Sequence, residues 1–294
     1  MVNNKIIRNK KHDQRNLVKI FRSGTIDGMD SPENSFPKRT SAQTQAVSKM
    51  LHRVIIKFLL VILLVGIKSF NLELFARADD SKALIVRKCP DFKVTGDGSA
   101  ENWALAEWMV LPQRILSGEP QTTKVKVLYS ETGIYFLFNC RDKKLTSTMN
   151  ADFMDLWKED VVEIFLWTDD QTPVYFEYEI SPLNYELPIL ISNEKGDLVR
   201  WIPFHYDEDR KTRHATTIQG GEKKSNVAIT GWITEFFIPY KLLRPLNNCF
   251  PKPGTRWRAN FCRIDYDGGS SKWSWQLTRK TFHEFEKFGI VIFE

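Results

Sequence analysis

The sequence lacks the short motifs that mark common catalytic and cofactor sites. It contains no HExxH zinc motif, no Gly-x-Ser-x-Gly nucleophile elbow and no glycine-rich loop of the P-loop or Rossmann kind. CxxC pairs are absent, so neither a zinc finger nor a thioredoxin-like redox centre is indicated. There is also no Asn-x-Ser/Thr acceptor for N-glycosylation. These absences favour a binding or structural role over the familiar classes of catalysis.

Cysteine is scarce as well. The four cysteines are Cys89, Cys140, Cys249 and Cys262. An even number allows disulfides if the chain is exported to an oxidising compartment, with three possible pairings. Cys140 and Cys262 fall inside predicted strands, where a cysteine is often a small buried apolar side chain. Disulfides and free thiols therefore both stay open.

The basic charge of the chain is confined to its N-terminal part. The 294 residues carry a formal net charge of +6. Residues 1–78 contain 14 Lys and Arg against 5 Asp and Glu, which leaves 28 basic and 31 acidic residues after position 78. The larger part of the chain is thus mildly acidic and lacks the electrostatic footprint of a nucleic-acid partner.

The N-terminal 78 residues divide into two segments. Residues 1–49 are polar and basic without an apolar period, and we predict a disordered extension. Residues 50–78 are typical of a signal peptide, because an apolar run at 58–67 follows Lys57 and Ala76-Arg77-Ala78 is a small-x-small cleavage pattern. The run is shorter than the roughly 20 apolar residues of a spanning helix. We expect cleavage after Ala78 and a secreted or periplasmic domain.

Two alternatives concern the predicted signal segment, residues 50–78. If it is not cleaved, it anchors the protein to a membrane. Because a signal peptide normally begins at the start of translation, Met50 is a candidate start in place of Met1.

The remaining residues, 79–294, predict a single all-β domain. The alternating runs 124–129 and 134–140 flank a turn and predict a hairpin. Further strands are predicted at 161–167, 174–180, 231–238, 257–264 and 288–293, whereas residues 182–230 are expected to be rich in loops. Little helix and no βαβ rhythm indicate an antiparallel β-sandwich of the jelly-roll type.

Two of these strands combine aromatic and acidic side chains on one face. Because side chains alternate along a strand, Glu163 shares a face with Phe165 and Trp167, and Glu177 and Glu179 share a face on the next strand. The other faces are apolar and favour the core. The acidic and aromatic faces together indicate a surface for a polar, ring-shaped ligand.

The order of the motifs resembles that of the family 9 carbohydrate-binding modules, in particular single-domain exported proteins of carbohydrate-degrading bacteria. The motifs are Trp157-x-x-Asp160-x-Val-Glu163, Gly231-Trp, Trp257-Arg-x-Asn-Phe, Trp273-Ser and Phe288-Gly289. The resemblance runs from about Gly96 to the C-terminus. It implies a β-sandwich that holds a sugar between two tryptophans, which fall on Trp157 and on Trp273 or its neighbour Trp275.

The resemblance also implies the polar contacts. Glu163 falls where the family accepts hydrogen bonds from sugar hydroxyls, and Glu179 stands where known binders have a basic or amide residue. Asn184 and Arg263 are candidate helpers. Indole rings cover the apolar faces of a pyranose, and charged groups bind its hydroxyls through strong hydrogen bonds.

The predicted function is that of an exported, non-catalytic protein that binds oligo- or polysaccharide in polysaccharide capture or catabolism, with a glycoside hydrolase as a candidate partner. Some family modules carry Ca²⁺. Candidate ligands are the Asp-rich turns at Asp142, Asp169, Asp170, Asp265 and Asp267, although none has a diagnostic calcium spacing.

Three alternatives stay open. The sandwich could serve only structure or protein interaction, with the tryptophans in its core. It could be a glycoside hydrolase that uses Glu163 with Glu177 or Glu179. It could also bind haem, which needs an axial pair drawn from Met109, Met149, Met154 and His283.

Overall fold

The computed structural model describes residues 50, 56–57, 83–195, 197–204 and 206–294. The predicted extension and nearly all of the predicted signal segment lie outside the described residues. The described residues from 83 onward belong to one compact unit. No helix in the described part of the chain is long and apolar enough to cross a bilayer.

The described domain is built from strands. They are β1 (Leu84–Lys88), β2 (Met109–Leu111), β3 (Gln113–Ile115), β4 (Thr123–Tyr129), β5 (Gly133–Arg141), β6 (Val161–Trp167), β7 (Val174–Ile180), β8 (Glu186–Glu194), β9 (Asp197–Pro203), β10 (Arg213–Gln219), β11 (Gly231–Pro239), β12 (Arg256–Asp265), β13 (Ser271–Ser274) and β14 (Gly289–Phe293). Four short 3₁₀ turns lie at Glu101–Leu105, Leu156–Lys158, Glu208–Arg210 and Phe285–Lys287. The prediction of an all-β domain with little helix is confirmed.

The strands form two sheets that β1 joins. The first sheet has the order β10-β11-β5-β4, with β2 also beside β4, and the second has the order β14-β12-β6-β7-β8-β9. β13 lies beside β12, and β3 beside β13. β1 pairs in parallel with β14 through its first half and with β4 through its second half. The other described pairings are antiparallel, so the predicted sandwich is confirmed with β1 as its parallel exception.

The core lies between the two sheets. Phe136 of β5 contacts Phe261 of β12 with ring centroids 5.7 Å apart, and Tyr178 of β7 contacts Phe236 of β11 at 4.9 Å. All four side chains are buried. Each fully buried aromatic side chain contributes roughly 1.5–3 kcal/mol through the hydrophobic effect, so this inter-sheet core is the main source of stability.

The alternation predicted for β6 and β7 is confirmed. Val162 and Ile164 of β6 and Phe176 of β7 belong to the inter-sheet core. Phe165 of β6 and Tyr175 of β7 lie on the opposite, outer face of the second sheet. Glu163, Glu177 and Glu179 therefore also point to the outer face, because side chains two residues apart share a face.

Irregular segments cover the outer faces. Residues 89–108 lie over the first sheet, where Trp103 donates its indole N–H to buried Glu235 (3.0 Å). Gly96 packs so closely on β10 that an added Cβ would lie 2.7 Å from the backbone of Ala215, which requires glycine there. Residues 280–288, here named the cover segment, lie over one part of the second sheet, and Phe285 and Phe288 pack against it. The rest of that outer face is left open for a site.

The prediction that residues 182–230 are rich in loops misses three strands. That range contains β8, β9 and β10. Every second residue of β8 is apolar and packs on the outer face of the second sheet: Leu187, Ile189 and Ile191. Pro188 interrupts this pattern in the sequence. Its carbonyl still accepts a hydrogen bond from the N–H of Phe204, so the strand tolerates a proline that cannot donate.

The possible disulfides do not form. All four cysteines are free and buried, and Cys140 and Cys262 are fully buried within β5 and β12. They act as small apolar side chains. Burial raises the pKa of Cys140 to about 12, so this thiol stays protonated.

A charged cluster lies inside the sandwich around Arg263. Its guanidinium donates to Asp142 at 2.9 Å and to Asp265 at 2.6 Å, and also to the carbonyl of Arg141 at 2.6 Å. The side chain of Arg263 is fully buried, and its charge lies 4.6 Å from the ring centroid of Trp273. The guanidinium of Arg263 thus forms ion pairs with both aspartates.

We predict that Arg263→Met strongly destabilises the domain. Removing one partner of a buried ion pair leaves the other charge uncompensated, which costs about 3–5 kcal/mol of unfolding free energy. Urea denaturation followed by circular dichroism measures the change. The matched control is Arg258→Met on the same strand, because Arg258 makes one hydrogen bond to the carbonyl of Phe288 and should cost only about 1 kcal/mol. Equal losses for the two variants would contradict this role of Arg263.

Candidate functional site

A cavity of about 320 Å³ opens on the outer face of the second sheet. Its volume lies near the lower end of the range of roughly 300–1,000 Å³ that is usual for small-molecule sites. It is lined by Trp157, Glu163, Glu177, Glu179, Ile189, Ile191, Leu198, Trp201, Ile264, Lys272, Lys280, Thr281, Phe282 and His283.

The floor of the cavity is acidic. Glu163 on β6 lies directly opposite Glu179 on β7, and Glu177 is the next residue of β7 on that face. One carboxylate oxygen from each of the three lies within 4.8 Å of the others. The residues are only 3%, 3% and 1% exposed for Glu163, Glu177 and Glu179. We call these three residues the acidic floor.

Burial makes three negative charges on the acidic floor unfavourable. It raises the pKa of Glu163 to about 8, against the opposing effect of Lys272. Burial first, and then the neighbouring carboxylates, raise the pKa of Glu177 and of Glu179 well above the usual range. The acidic floor therefore favours the binding of protons or of a cation.

Two oxygens of the acidic floor have no partner among the described residues. They are Oε2 of Glu177 and Oε2 of Glu179, and both are buried. Glu179 does accept a hydrogen bond from the backbone of Trp157. A buried polar atom without a partner costs about 1–3 kcal/mol, so a ligand that reaches these oxygens gains that free energy.

Two tryptophans form an aromatic corner beside the acidic floor. Trp157 lies in the 3₁₀ turn that leads into β6, and Trp201 lies on β9. Their ring centroids are 5.4 Å apart and the planes cross at 79°. Trp157 is half-buried and Trp201 is 37% exposed, so at least one indole is open to a ligand.

The cover segment supplies Phe282 and His283. Nδ1 of His283 lies 2.9 Å from the hydroxyl oxygen of Tyr175 and 3.9 Å from Oε2 of Glu177. Burial lowers the pKa of His283 to about 4, so the imidazole is neutral near pH 7. Nζ of Lys272 lies 5.7 Å from the ring centroid of Phe282. The cavity thus combines carboxyl groups, a neutral imidazole, an ammonium group and aromatic rings.

Three of the seven predicted binding residues meet in this cavity: Trp157, Glu163 and Glu179. Trp273 does not, and the prediction that it faces a ligand is contradicted. It is fully buried in the inter-sheet core, and its indole N–H donates to the carbonyl of Gln121 at 3.1 Å. The alternation of β13 turns this ring toward Arg263 and away from the outer face.

Trp275, Asn184 and Arg263 also lie elsewhere. Trp275 packs against the inter-sheet core and stacks on Phe261, with centroids 5.3 Å apart and planes 11° from parallel. Asn184 has a positive φ of 76° in the turn between β7 and β8, and accepts a hydrogen bond from the hydroxyl of Thr216 at 2.8 Å. Arg263 belongs to the interior ion cluster. These three predictions are therefore corrected to structural roles.

Sequence reasoning missed Trp201, Lys272 and Phe282 as cavity residues. Trp201 lies in the range that was expected to be rich in loops, and the alternation of Leu187, Ile189 and Ile191 was the signal for a strand pair there. Lys272 lies on β13 and Phe282 in the cover segment, and long-range packing brings both residues to the cavity. No local pattern in the sequence indicates that they approach β6.

Most carboxylates of the predicted calcium turns already have a partner, either an ion pair with Arg263 or a hydrogen bond from a neighbouring amide. Asp142, Asp265 and Asp267 do bring oxygens within 4.8 Å of one another, but Arg263 pairs with the first two. Asp169 accepts a hydrogen bond from the amide of Asn247, and Asp170 accepts one from Gln171.

The residues proposed for haem do not converge. Met109 packs against the inter-sheet core, and Met154 is 38% exposed. None of the three candidate methionines lines the cavity that contains His283.

A larger depression of about 630 Å³ lies beside β10 of the first sheet. It is lined by residues that include Asp91, Phe92, Lys93, Arg213 and His214. It has neither a tryptophan nor a cluster of carboxylates, so its chemistry is less suited to a ring-shaped polar ligand.

Comparison with solved structures finds the same fold. A protein from Bacteroides uniformis that has been proposed to bind carbohydrate aligns with a TM-score of 0.59 at 16% identity, over 72% of this chain and 99% of that one. A family 9 carbohydrate-binding module from Caldicellulosiruptor kristjanssonii in complex with cellotriose aligns with a TM-score of 0.51 at 16% identity, over 72% and 94% of the two chains. A family 9 module from the same organism in complex with glucose aligns with a TM-score of 0.52 at 16% identity, over 72% of this chain and 96% of that one.

Comparison at the level of sequence identifies the family. No curated protein matches the chain. The family model described as "Carbohydrate family 9 binding domain-like" matches residues 94–294, which is more than half of the sequence. The chain therefore belongs to the carbohydrate family 9 binding domain-like family.

Proposed function

We propose that the domain binds carbohydrate in the cavity between the acidic floor and the aromatic corner of Trp157 and Trp201. The observation that carries the proposal is the meeting of three buried carboxyl groups with two indole rings in one cavity. Membership of the family supports it, and so does the shared fold of modules that are complexed with cellotriose and glucose.

The chemistry of the cavity suits a sugar. An indole ring covers the apolar C–H face of a pyranose and loses little side-chain freedom. A carboxylate accepts hydrogen bonds from hydroxyl groups, and a protonated carboxyl group also donates one. Because both states are accessible to Glu163, a sugar hydroxyl can serve as donor or acceptor there.

The aromatic corner differs from a pair of parallel plates. Since the planes of Trp157 and Trp201 cross at 79°, a pyranose stacks on one ring and touches the edge of the other. The small volume of the cavity favours one or two sugar units. We therefore expect a monosaccharide, or a terminal unit of a chain, to occupy it.

A hydrolytic role has less support. Glycosidases give their two catalytic carboxyl groups contrasting pKa values. On the acidic floor, burial raises the pKa of all three groups in the same direction. This arrangement favours ligand binding over an acid and nucleophile pair.

Export and a hydrolase partner are further parts of the proposal. The apolar run at 58–67 and the Ala76-Arg77-Ala78 pattern support cleavage after Ala78 and release to the periplasm or the medium. A binding domain without a catalytic pair would act in polysaccharide capture, beside a separate glycoside hydrolase.

We predict that Trp201→Ala weakens saccharide binding about two- to tenfold, since a stacked aromatic contact contributes about 0.5–1.5 kcal/mol. Calorimetric titration with glucose, cellotriose, uronic acids and amino sugars measures the affinity. The matched control is Trp108→Ala, because Trp108 is also half-exposed but lies beside Lys124 of the first sheet. Equal binding by the two variants would contradict the placement of the sugar at Trp201, whereas no binding by the folded wild-type protein would leave a structural or protein-interaction role.

We also predict that the protein releases no 4-nitrophenol from 4-nitrophenyl glycosides over a range of pH. Absorbance at alkaline pH detects the product. Turnover that disappears in Glu163→Gln, with the fold intact, would replace the binding proposal with the hydrolase alternative.

A further inference from the structure

We infer that Glu163, Glu177 and Glu179 bind one hard divalent cation, Ca²⁺ in preference to Mg²⁺, at the floor of the cavity. This ion lies apart from the Asp-rich turns that the sequence suggested for calcium. Its ligands come from two neighbouring strands, so the site is built on rigid elements and not on a loop.

The geometry permits one ion to reach all three side chains. Ca²⁺ binds oxygen at about 2.3–2.6 Å, so two oxygens that share an ion lie within roughly 5 Å of each other. One oxygen from each glutamate satisfies that limit, with all three within 4.8 Å. Mg²⁺ requires ligands at about 2.0–2.1 Å in strict octahedral geometry, which is harder to meet from two strands.

The unpartnered oxygens give independent support. Glu177 and Glu179 are 3% and 1% exposed, and each has a buried Oε2 atom that no donor among the described residues reaches. Hard cations prefer carboxylate oxygen, and such an ion would satisfy both atoms at once. The native fold therefore presents coordination sites that the protein itself does not fill.

Charge balance distinguishes the acidic floor from the acidic cluster of Asp142, Asp265 and Asp267. Asp142 and Asp265 have the guanidinium of Arg263 between them. In the described part of the chain no lysine or arginine forms an ion pair with the acidic floor. Lys272 acts on Glu163 from a distance, and neutral His283 lies 3.9 Å from Glu177. Of the two acidic clusters among the described residues, the acidic floor is thus the one without a cation in ion-pair contact.

The ion would also contact the ligand, and this second step rests on the proposed function. Ca²⁺ takes 6–8 oxygen ligands, whereas three glutamates supply between three and six. The remaining positions can be taken by water or by adjacent hydroxyl groups of a sugar in the cavity. Saccharide affinity would then depend on the metal.

The test is a calorimetric titration of the metal-depleted protein with CaCl₂ in the absence of sugar. We expect one site per chain, and a loss of affinity of at least about tenfold in Glu177→Gln and in Glu179→Gln. The matched control is Asp267→Asn, which removes a carboxylate from the other acidic cluster and should bind Ca²⁺ as the wild type does. Thermal unfolding without metal checks that each variant is folded.

The outcomes separate this inference from the proposed function. Absence of a calcium heat in the folded wild type overturns the inference, even if saccharide binding persists and supports the proposed function. Calcium binding that is lost in Asp267→Asn but kept in Glu177→Gln also overturns it, since it assigns the ion to the other cluster. Calcium binding that is weakened in Glu177→Gln and Glu179→Gln and kept in Asp267→Asn upholds the inference. If the same protein binds no saccharide, only the proposed function is removed.

Discussion

The antiparallel pairing of β6 with β7 is the constraint on which the rest of the structure depends. Its inner face closes the sandwich through Ile164 and Tyr178, and its outer face brings Glu163 opposite Glu179. A shift of one residue would exchange the two faces and place carboxylates in the inter-sheet core. The same register therefore maintains the fold and creates the acidic floor.

Much of the fold could be predicted because apolar and polar side chains alternate locally along the strands. The period of two in β4, β5, β6, β7 and β11 indicates both the strands and the faces that they bury. The range 182–230 could not be assigned in this way, since Pro188 hides the alternation of β8. The parallel pairings of β1 also escaped prediction, because they join residues that are about 40 and 200 positions apart along the chain.

The site was predictable to the extent that it lies on paired strands. Glu163 and Glu179 follow from alternation, and Trp157 follows from the family motif. Trp273 shows the limit of such reasoning, because a tryptophan in a short strand suits a core and a ligand face equally well. Only the packing of Trp273 against Arg263 decides between them. Trp201 takes the place beside Trp157 that was expected for Trp273, although it forms a corner with that ring and not a parallel clamp.

We propose that the outer face of the second sheet holds the sugar, and a crystal structure of the protein with a bound saccharide would test this placement. We expect a pyranose stacked on Trp201 with its hydroxyl groups bonded to Glu163 or Glu179. A saccharide bound instead in the depression between Asp91 and Arg213, with the cavity over the acidic floor free of sugar, would contradict it.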